Sequence, residues 1–450
     1  MSEVKQPWTE HAFRYLGLFF ICMMTFGSYY IYDIPSALTQ DKIDTWYGVK
    51  EIKYSLLYAV YNFPNMVIVF FGGFLIDTVF GLKLGSIIFC CLVMTGQILF
   101  SISANSKTFW LALLGRTIFG LGGESLSVAQ STFCAAWFNG RNDLNLAFAI
   151  TLGFSRIGSA VNFQVTPTLD NKFSLPTAVW FGAICCGISF VACIVLCFLD
   201  MARSRKDAAN NPVIKNDPVS IKDITKFPKM VWLIFALVVF FYVPLFVFVS
   251  IGTQFFVNKF GTTSSFAGVL TSIPYYTAAP SPVIGFIIDR VGRNLSWMAL
   301  SMILLVVAHS ILGFTMVNPY VGMILMGFSY AIMAASIWPT IPALIPSSRL
   351  GTAYGLAFAF QNAAIALSGL LVNAILEKTN NNYYYTEAIF VGSAAIGLLI
   401  VVLLILIDLK EKKLNIPSQD MKDNIKLLNK QSEPLLSEQS SINNNQEITY

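Results

Sequence analysis

The sequence predicts an all-α membrane protein of twelve transmembrane helices, arranged as two pseudo-symmetric six-helix bundles with both termini in the cytosol. Three observations carry that prediction. The 450 residues are 56% hydrophobic and only 12% charged, against roughly 25% charged in a soluble domain. Twelve apolar stretches are each long enough to cross about 30 Å of hydrocarbon as a helix. One polar segment, 201–228, divides them six and six.

In the first half the stretches run at 13–33, 53–76, 83–104, 108–137, 144–166 and 177–199. In the second they run at 229–256, 264–288, 295–315, 318–345, 350–376 and 384–408. The first is a full span that continues into the bundle, so it reads as its own insertion signal rather than a cleavable one. Placing both ends in the cytosol puts 20 of the 29 Lys and Arg there, as retention of positive loops requires. The expected organisation is a cytosolic N-terminus (1–12), a six-helix bundle (13–200), a cytosolic linker (201–228), a second bundle (229–408) and a disordered cytosolic tail (409–450). The net charge of +5 is thus a topology signal. The run Arg203, Arg205, Lys206 reads as retention or lipid-headgroup contact, not as a nucleic-acid surface.

Most catalytic chemistries lack residues. All eight cysteines fall inside the apolar stretches, where they behave as small apolar side chains. His11 and His309 stand apart in the sequence, so no metal-ligand spacing exists, and neither a phosphate-binding loop nor a nucleophile with a base at depth is present. No cofactor is expected, and no enzyme. The sequon Asn294 to Ser296 lies in a short turn on the side read as cytosolic, so sugar is not expected there.

The halves echo each other. GGFLIDTVFGLK at 72–83 and GFIIDRVGRN at 285–294 each place an aspartate, Asp77 or Asp289, at a tight turn followed by Gly and a basic residue. A weaker echo pairs LNLAFAITLGFSR at 144–156 with LGTAYGLAFAFQN at 350–362, superposing Arg156 on Asn362. Two parallel repeats joined by a linker are the architecture of one transporter class.

These motifs resemble those of the major facilitator superfamily, whose G-x-L-x-D-R-x-G-R loop recurs in both halves. The second copy is close, with Asp289, Arg290, Gly292 and Arg293. The first departs, having Thr78 where arginine is expected, so that copy's charge network is not carried over. LGRTIFGLGGE at 114–124 is similar to the superfamily's fourth-helix pattern. The longer strings TFGSYYIYDIPS (25–36), LLYAVYNFPN (56–65), FGLGGESLSVAQ (119–130), SRIGSAVN (155–162) and SIWPTIPALIPSSRLGTAYG (336–355) closely resemble the family of major facilitator superfamily domain-containing protein 1. That resemblance implies a lysosomal membrane uniporter exporting dipeptides to the cytosol beside a heavily glycosylated accessory membrane protein. It also implies that the glutamate of GGES and the arginine of RIGS, here Glu124 and Arg156, hold the substrate.

The residues point to the same pair. Glu124 lies 13 residues and Arg156 12 residues from the turn between the fourth and fifth helices. At about 1.5 Å per residue both sit roughly 18–20 Å from that end, near mid-membrane. Charge in hydrocarbon costs at least a few kcal/mol per group, so such residues face a cavity, a partner or a ligand. A guanidinium can grip a carboxylate with two parallel N–H···O bonds while Glu124 takes an amine, which suits a dipeptide zwitterion. The competing reading is a structural ion pair. For Arg116, eight residues from Glu124 and rotated by about 80°, the structural role is preferred. Tyr58, Tyr61, Tyr242, Tyr276, Tyr330, Trp338, Gln361 and Asn362 complete the candidate wall. The second half is expected to hold no ionisable residue at comparable depth. Pro339, with Pro342 and Pro346, interrupts backbone hydrogen bonding and makes the end of the tenth helix a candidate gate.

No E-x-x-E-R cluster of proton-coupled peptide carriers and no P-E-S-P-R string of sugar carriers occurs, so facilitated diffusion is favoured over proton symport. In the tail, Asp423 with Leu427 and Leu428 fits an acidic dileucine signal for clathrin adaptors. Two other readings stay open: a carrier of single amino acids or other small zwitterions, and a non-transporting peptide sensor signalling through the tail.

Overall fold

The computed structural model describes residues 8–38, 40–49, 51–139, 141–210 and 221–431, and all regular structure among them is helical. The first half comprises α1 (Trp8–Tyr32), α2 (Glu51–Leu75), α3 (Gly81–Ser106), α4 (Phe109–Phe138), α5 (Leu144–Lys172) and α6 (Leu175–Asn210). The second comprises α7 (Lys229–Phe260), α8 (Ser264–Thr277, resumed at Ser281–Val291), α9 (Asn294–Phe314), α10 (Pro319–Ile337), α11 (Leu350–Lys378) and α12 (Tyr383–Glu411). A further helix, α13 (Ser418–Gln431), follows.

Nine continuous helical runs among the described residues are long and apolar enough to span a membrane. They correspond to twelve spans for physical reasons. The run Leu56–Ser106 holds both α2 and α3, joined through a wide π-turn at Ile76–Phe80. In α4 the apolar content is diluted by Arg116, Glu124 and several Gly and Ser residues. The eighth span, read as continuous from 264 to 288, breaks at Ala278–Pro280 after Pro274, where proline removes a helical donor. The tenth tightens into a 3₁₀ segment at Trp338–Ala343 around Pro339 and Pro342.

Helices α2, α4 and α6 end beside the starts of α3, α5 and α7 at one side of the bundle, which we call the aspartate end. There each half finishes a helix of the other. Asp77 accepts from the Gly351 N–H at 3.1 Å, the Thr352 N–H at 2.6 Å and the Thr352 hydroxyl at 2.7 Å. Asp289 accepts from the Asn145 and Leu146 N–H groups at 3.0 and 2.7 Å and from the Asn145 amide at 2.8 Å. An aspartate at a helix start satisfies orphan N–H groups and complements the positive end of the dipole. Thr78, in place of the motif arginine, only bonds back to the Phe74 carbonyl at 2.8 Å. Arg290 lies over the Phe286 ring at 4.4 Å, and Arg293 has a positive φ of 56°.

Further contacts shut the same end. A Cβ on Gly73 would meet the Gly351 carbonyl oxygen at 2.1 Å, so α2 and α11 touch through bare backbone, the small-residue packing of membrane helices. Asn294 donates to Asn145 at 2.9 Å and Ser281 to the Ala149 carbonyl at 3.1 Å. Phe148 and Tyr354 pack across the halves at 6.0 Å between ring centroids.

The second half contains a buried ionisable pair, away from the depth of Glu124 and Arg156. His309 of α9 and Glu387 of α12 are 0% and 1% exposed and meet at 2.9 Å between Nδ1 and Oε2. They lie well toward the far end, five residues from Phe314 and four from Tyr383. Their pairing across 78 positions is a tertiary event that chain proximity could not reveal.

Candidate functional site

Arg116 and Arg156 settle very differently. Arg116 is 1% exposed and donates to three backbone carbonyls: Leu57 at 3.2 Å, Ile31 at 3.0 Å and Tyr32 at 3.1 Å. Two of these carbonyls end α1, where the chain turns at Asp33 ahead of Pro35, so the guanidinium supplies donors that the stopped helix lacks. Rings of Tyr32, Tyr58, Tyr61 and Phe119 surround it at 5.2–5.7 Å. Tyr58 is turned to this framework too, with its hydroxyl accepting from the Ser36 N–H at 3.0 Å.

Arg156, half-buried on α5, donates from Nη2 to the Tyr330 hydroxyl. Its guanidinium faces the rings of Tyr275, Tyr330 and Phe246 at 5.1, 5.3 and 5.7 Å. Cation–π contacts stabilise the charge without neutralising it, and Nε is buried with no acceptor. Glu124, half-buried on α4, accepts from the Tyr61 hydroxyl at 3.1 Å. Arg156 acts on Glu124 only through space, and among the described residues no ion pair joins the two. The Asn362 amide faces Glu124 but closes no bond of ordinary geometry, leaving Nδ2 unpartnered like the neighbouring Gln361 Oε1.

Behind Arg156 stands the aromatic wall. The Trp338 Nε1 donates to the Tyr242 hydroxyl at 3.1 Å, and Tyr242 meets Tyr330 edge-on at 6.3 Å. Trp338 stacks on Phe358 at 4.8 Å and its carbonyl accepts from Tyr354 at 3.1 Å. This layer, with Phe148, lies between the charged pair and the aspartate end. Pro339 sits buried in the same layer.

The structure thus gathers Glu124, Arg156, Tyr61, Tyr330 and Asn362, with Tyr242 and Trp338 as backing, and nothing in it ties the Gln361 side chain to the pair. Tyr276 is apart: it is 62% exposed, and its neighbour Tyr275 is the one over Arg156. Three residues had not been singled out from sequence. They are Tyr275, Phe246 and Asp33, which is half-buried within electrostatic reach of Arg156 and Arg116 and beside Ser159. Asp33 is the last residue of the first apolar stretch, at its far end rather than at the depth of Glu124 and Arg156. The dileucine residues lie on α13, with Leu427 56% exposed and Asp423 paired to Lys426 at 3.7 Å. Asp423, Leu427 and Leu428 are therefore helical, where the sequence suggests a disordered tail. Leu435 and Leu436 fall outside the described residues. Among the described residues no cluster of His, Cys, Asp and Glu could hold a metal ion.

Comparison with known proteins agrees with this architecture. The profile of the Major Facilitator Superfamily matches residues 15–256 and 245–440. The human lysosomal dipeptide transporter MFSD1 is 39% identical over 409 residues, covering 88% of this chain and 87% of its own. The zebrafish (Danio rerio) lysosomal dipeptide transporter MFSD1 is 38% identical over 415 residues, covering 90% and 89%. Among solved structures, a bacterial homologue of the iron transporter ferroportin in an outward-facing state superposes with a TM-score of 0.69 at 12% identity, covering 87% of this chain and 99% of that one. The human organic anion transporter MFSD10 does so with 0.66 at 16% identity, covering 88% and 100%. At such identities these last two share the fold alone. The chain is a multi-pass membrane transporter, not an enzyme, and it belongs to the MFSD1 family of the Major Facilitator Superfamily.

Proposed function

We propose that this protein exports dipeptides from the lysosomal lumen to the cytosol by alternating access, as a uniporter, with Glu124 taking the peptide amine and Arg156 its carboxylate. The observation that carries the reading is that the two charges face one space without pairing. A zwitterion with an ammonium at one end and a carboxylate at the other would complete both. The unpartnered Arg156 Nε and Asn362 Nδ2 supply further polar groups for the peptide bond and termini. Relatives named as lysosomal dipeptide transporters support both the substrate class and the compartment.

In this reading the aspartate end faces the cytosol with both termini and the 201–228 linker, and the far end faces the lumen. A glycosylated accessory membrane protein would cover lumenal loops, and clathrin adaptors would read the string at Asp423, Leu427 and Leu428. Substrate would enter from the lumen, after which the caps at Asp77 and Asp289 would part to release it. With Arg156 and Glu124 each restored to its tyrosine partner after release, no proton need travel with the peptide.

The test is flux of labelled dipeptides and free amino acids into proteoliposomes holding the purified chain, alongside Glu124→Gln and Arg156→Ala. Dipeptide uptake that both substitutions abolish, and that survives collapse of the proton gradient, is expected. Uptake of free amino acids alone would replace the substrate class. No uptake by intact chain would turn the reading toward a peptide sensor.

A further inference from the structure

Beyond the last span the chain turns back onto the aspartate end. Asp408 accepts from the N–H groups of Lys413, Leu414 and Asn415 at 2.8, 3.0 and 2.6 Å, reversing the chain after α12. The Ile416 carbonyl then accepts from the Arg293 N–H at 2.9 Å, and Asn415 accepts from the Ser296 N–H and hydroxyl at 3.2 and 3.0 Å. Gly292, at φ 72°, makes room for this crossing: a Cβ there would meet the Ser418 nitrogen at 2.4 Å and the Ile416 oxygen at 2.6 Å.

The α13 helix that follows lays Met421, Lys422 and Ile425 against the bundle at 5%, 8% and 2% exposure. It packs on the 3₁₀ segment Trp338–Ala343 and on the end of α8. Lys422 is the unusual member, because a buried ammonium is costly unless anionic groups face it. Two do. Asp289, the cap of α5, and Asp143, in the α4–α5 turn of the other half, both act on it, as do its helix neighbours Lys426 and Asp423. Burial pushes its ammonium below the usual lysine value, and the two aspartates oppose that shift. Asp289 and Asp143 come from different halves, so a positive charge between them works across the seam.

We propose that α13 is a latch: Lys422, buried where α13 docks and within electrostatic reach of Asp289 and Asp143, holds the aspartate end shut and biases the carrier toward the state open at the far end. The latch is undone when the halves part, because its two anchors then separate. Since α13 also carries Leu427 and Leu428, undocking changes the surface on which those residues are displayed.

The latch rests on the alternating-access reading and is tested at the seam itself. Asn139 donates to Ser347 across the halves at 3.3 Å. In the full-length chain, with the exposed Cys91 replaced by serine, Asn139→Cys and Ser347→Cys would be joined by a short bifunctional thiol reagent and the cross-linking rate followed. Lys422→Gln is expected to slow the reaction about fivefold, and truncation after Pro417 at least as much, while Lys422→Arg keeps the original rate. Unchanged rates in both the Gln variant and the truncated chain would overturn the latch. Slowing by truncation alone would overturn the role of Lys422 and transfer the effect to Met421 and Ile425. Thermal melting of each variant identifies any that misfold, in which case the Arg/Gln contrast decides. A slowed rate in a chain that moves no dipeptide would sink the dipeptide reading and leave the latch standing.

Discussion

Arg116 and Arg156 belong to the same half, are both enclosed by aromatic rings and differ in one respect. Arg116 gives its donors to three carbonyls that need them, whereas Arg156 has one hydroxyl partner and a buried Nε with none. The first is a finished piece of framework, and the second keeps a donor unspent, which is why it is the one proposed to take the peptide carboxylate. In a membrane protein, therefore, depth alone does not mark a functional charge. What marks it is the shortfall between the donors a group offers and the acceptors the protein provides.

The sharpest way to break this comparison is to remove each guanidinium and read stability and transport separately. Arg116→Met leaves the carbonyls of Ile31, Tyr32 and Leu57 without donors, and a loss of about 3–5 kcal/mol of stability is expected. It would be seen as a large drop in melting temperature and poor recovery from the membrane. A melting temperature equal to that of the parent would show that the carbonyls find other donors. For Arg156→Ala the expectation reverses: folding is kept while dipeptide affinity falls about 100-fold, the scale of a lost charge-assisted bidentate contact. A smaller step sharpens it. Arg156→Lys keeps the charge but not the fork, and about tenfold weaker binding is expected; equal binding would mean that charge alone suffices. Smallest is Tyr61→Phe, which removes the one hydroxyl on Glu124. A net hydrogen bond of about 1 kcal/mol corresponds to a few-fold change in affinity by calorimetry, with tighter amine binding if the tyrosine competes with the ligand and weaker binding if it only orients the carboxylate.

Much of this was legible in the chain. Glu124 and Arg156 stand out because charge is rare in apolar stretches, and counting from the α4–α5 turn placed them at one depth. The repeated GGFLID and GFIID strings gave the two aspartates at one end. Other features depend on packing that no local pattern encodes. One residue along a helix is a rotation of about 100°, and the break after Thr277 sets the phase, so Tyr275 rather than Tyr276 faces Arg156. Asp33 was hidden by its place at the end of a span. The tail looked too polar to order itself, yet Leu414, Met421 and Ile425 bury themselves because the bundle offers a surface.

The reciprocal caps carry a consequence for biogenesis. Neither Asp143 nor Arg349, the residues that precede α5 and α11, closes a side-chain cap on its own helix. Each helix start borrows its acceptor from the opposite half, Asp289 for α5 and Asp77 for α11. The half synthesised first must therefore hold the start of α5 without its acceptor until α8 arrives, so docking of the halves is the step that completes both caps. Quality control that senses exposed backbone could read from that one junction whether assembly is finished.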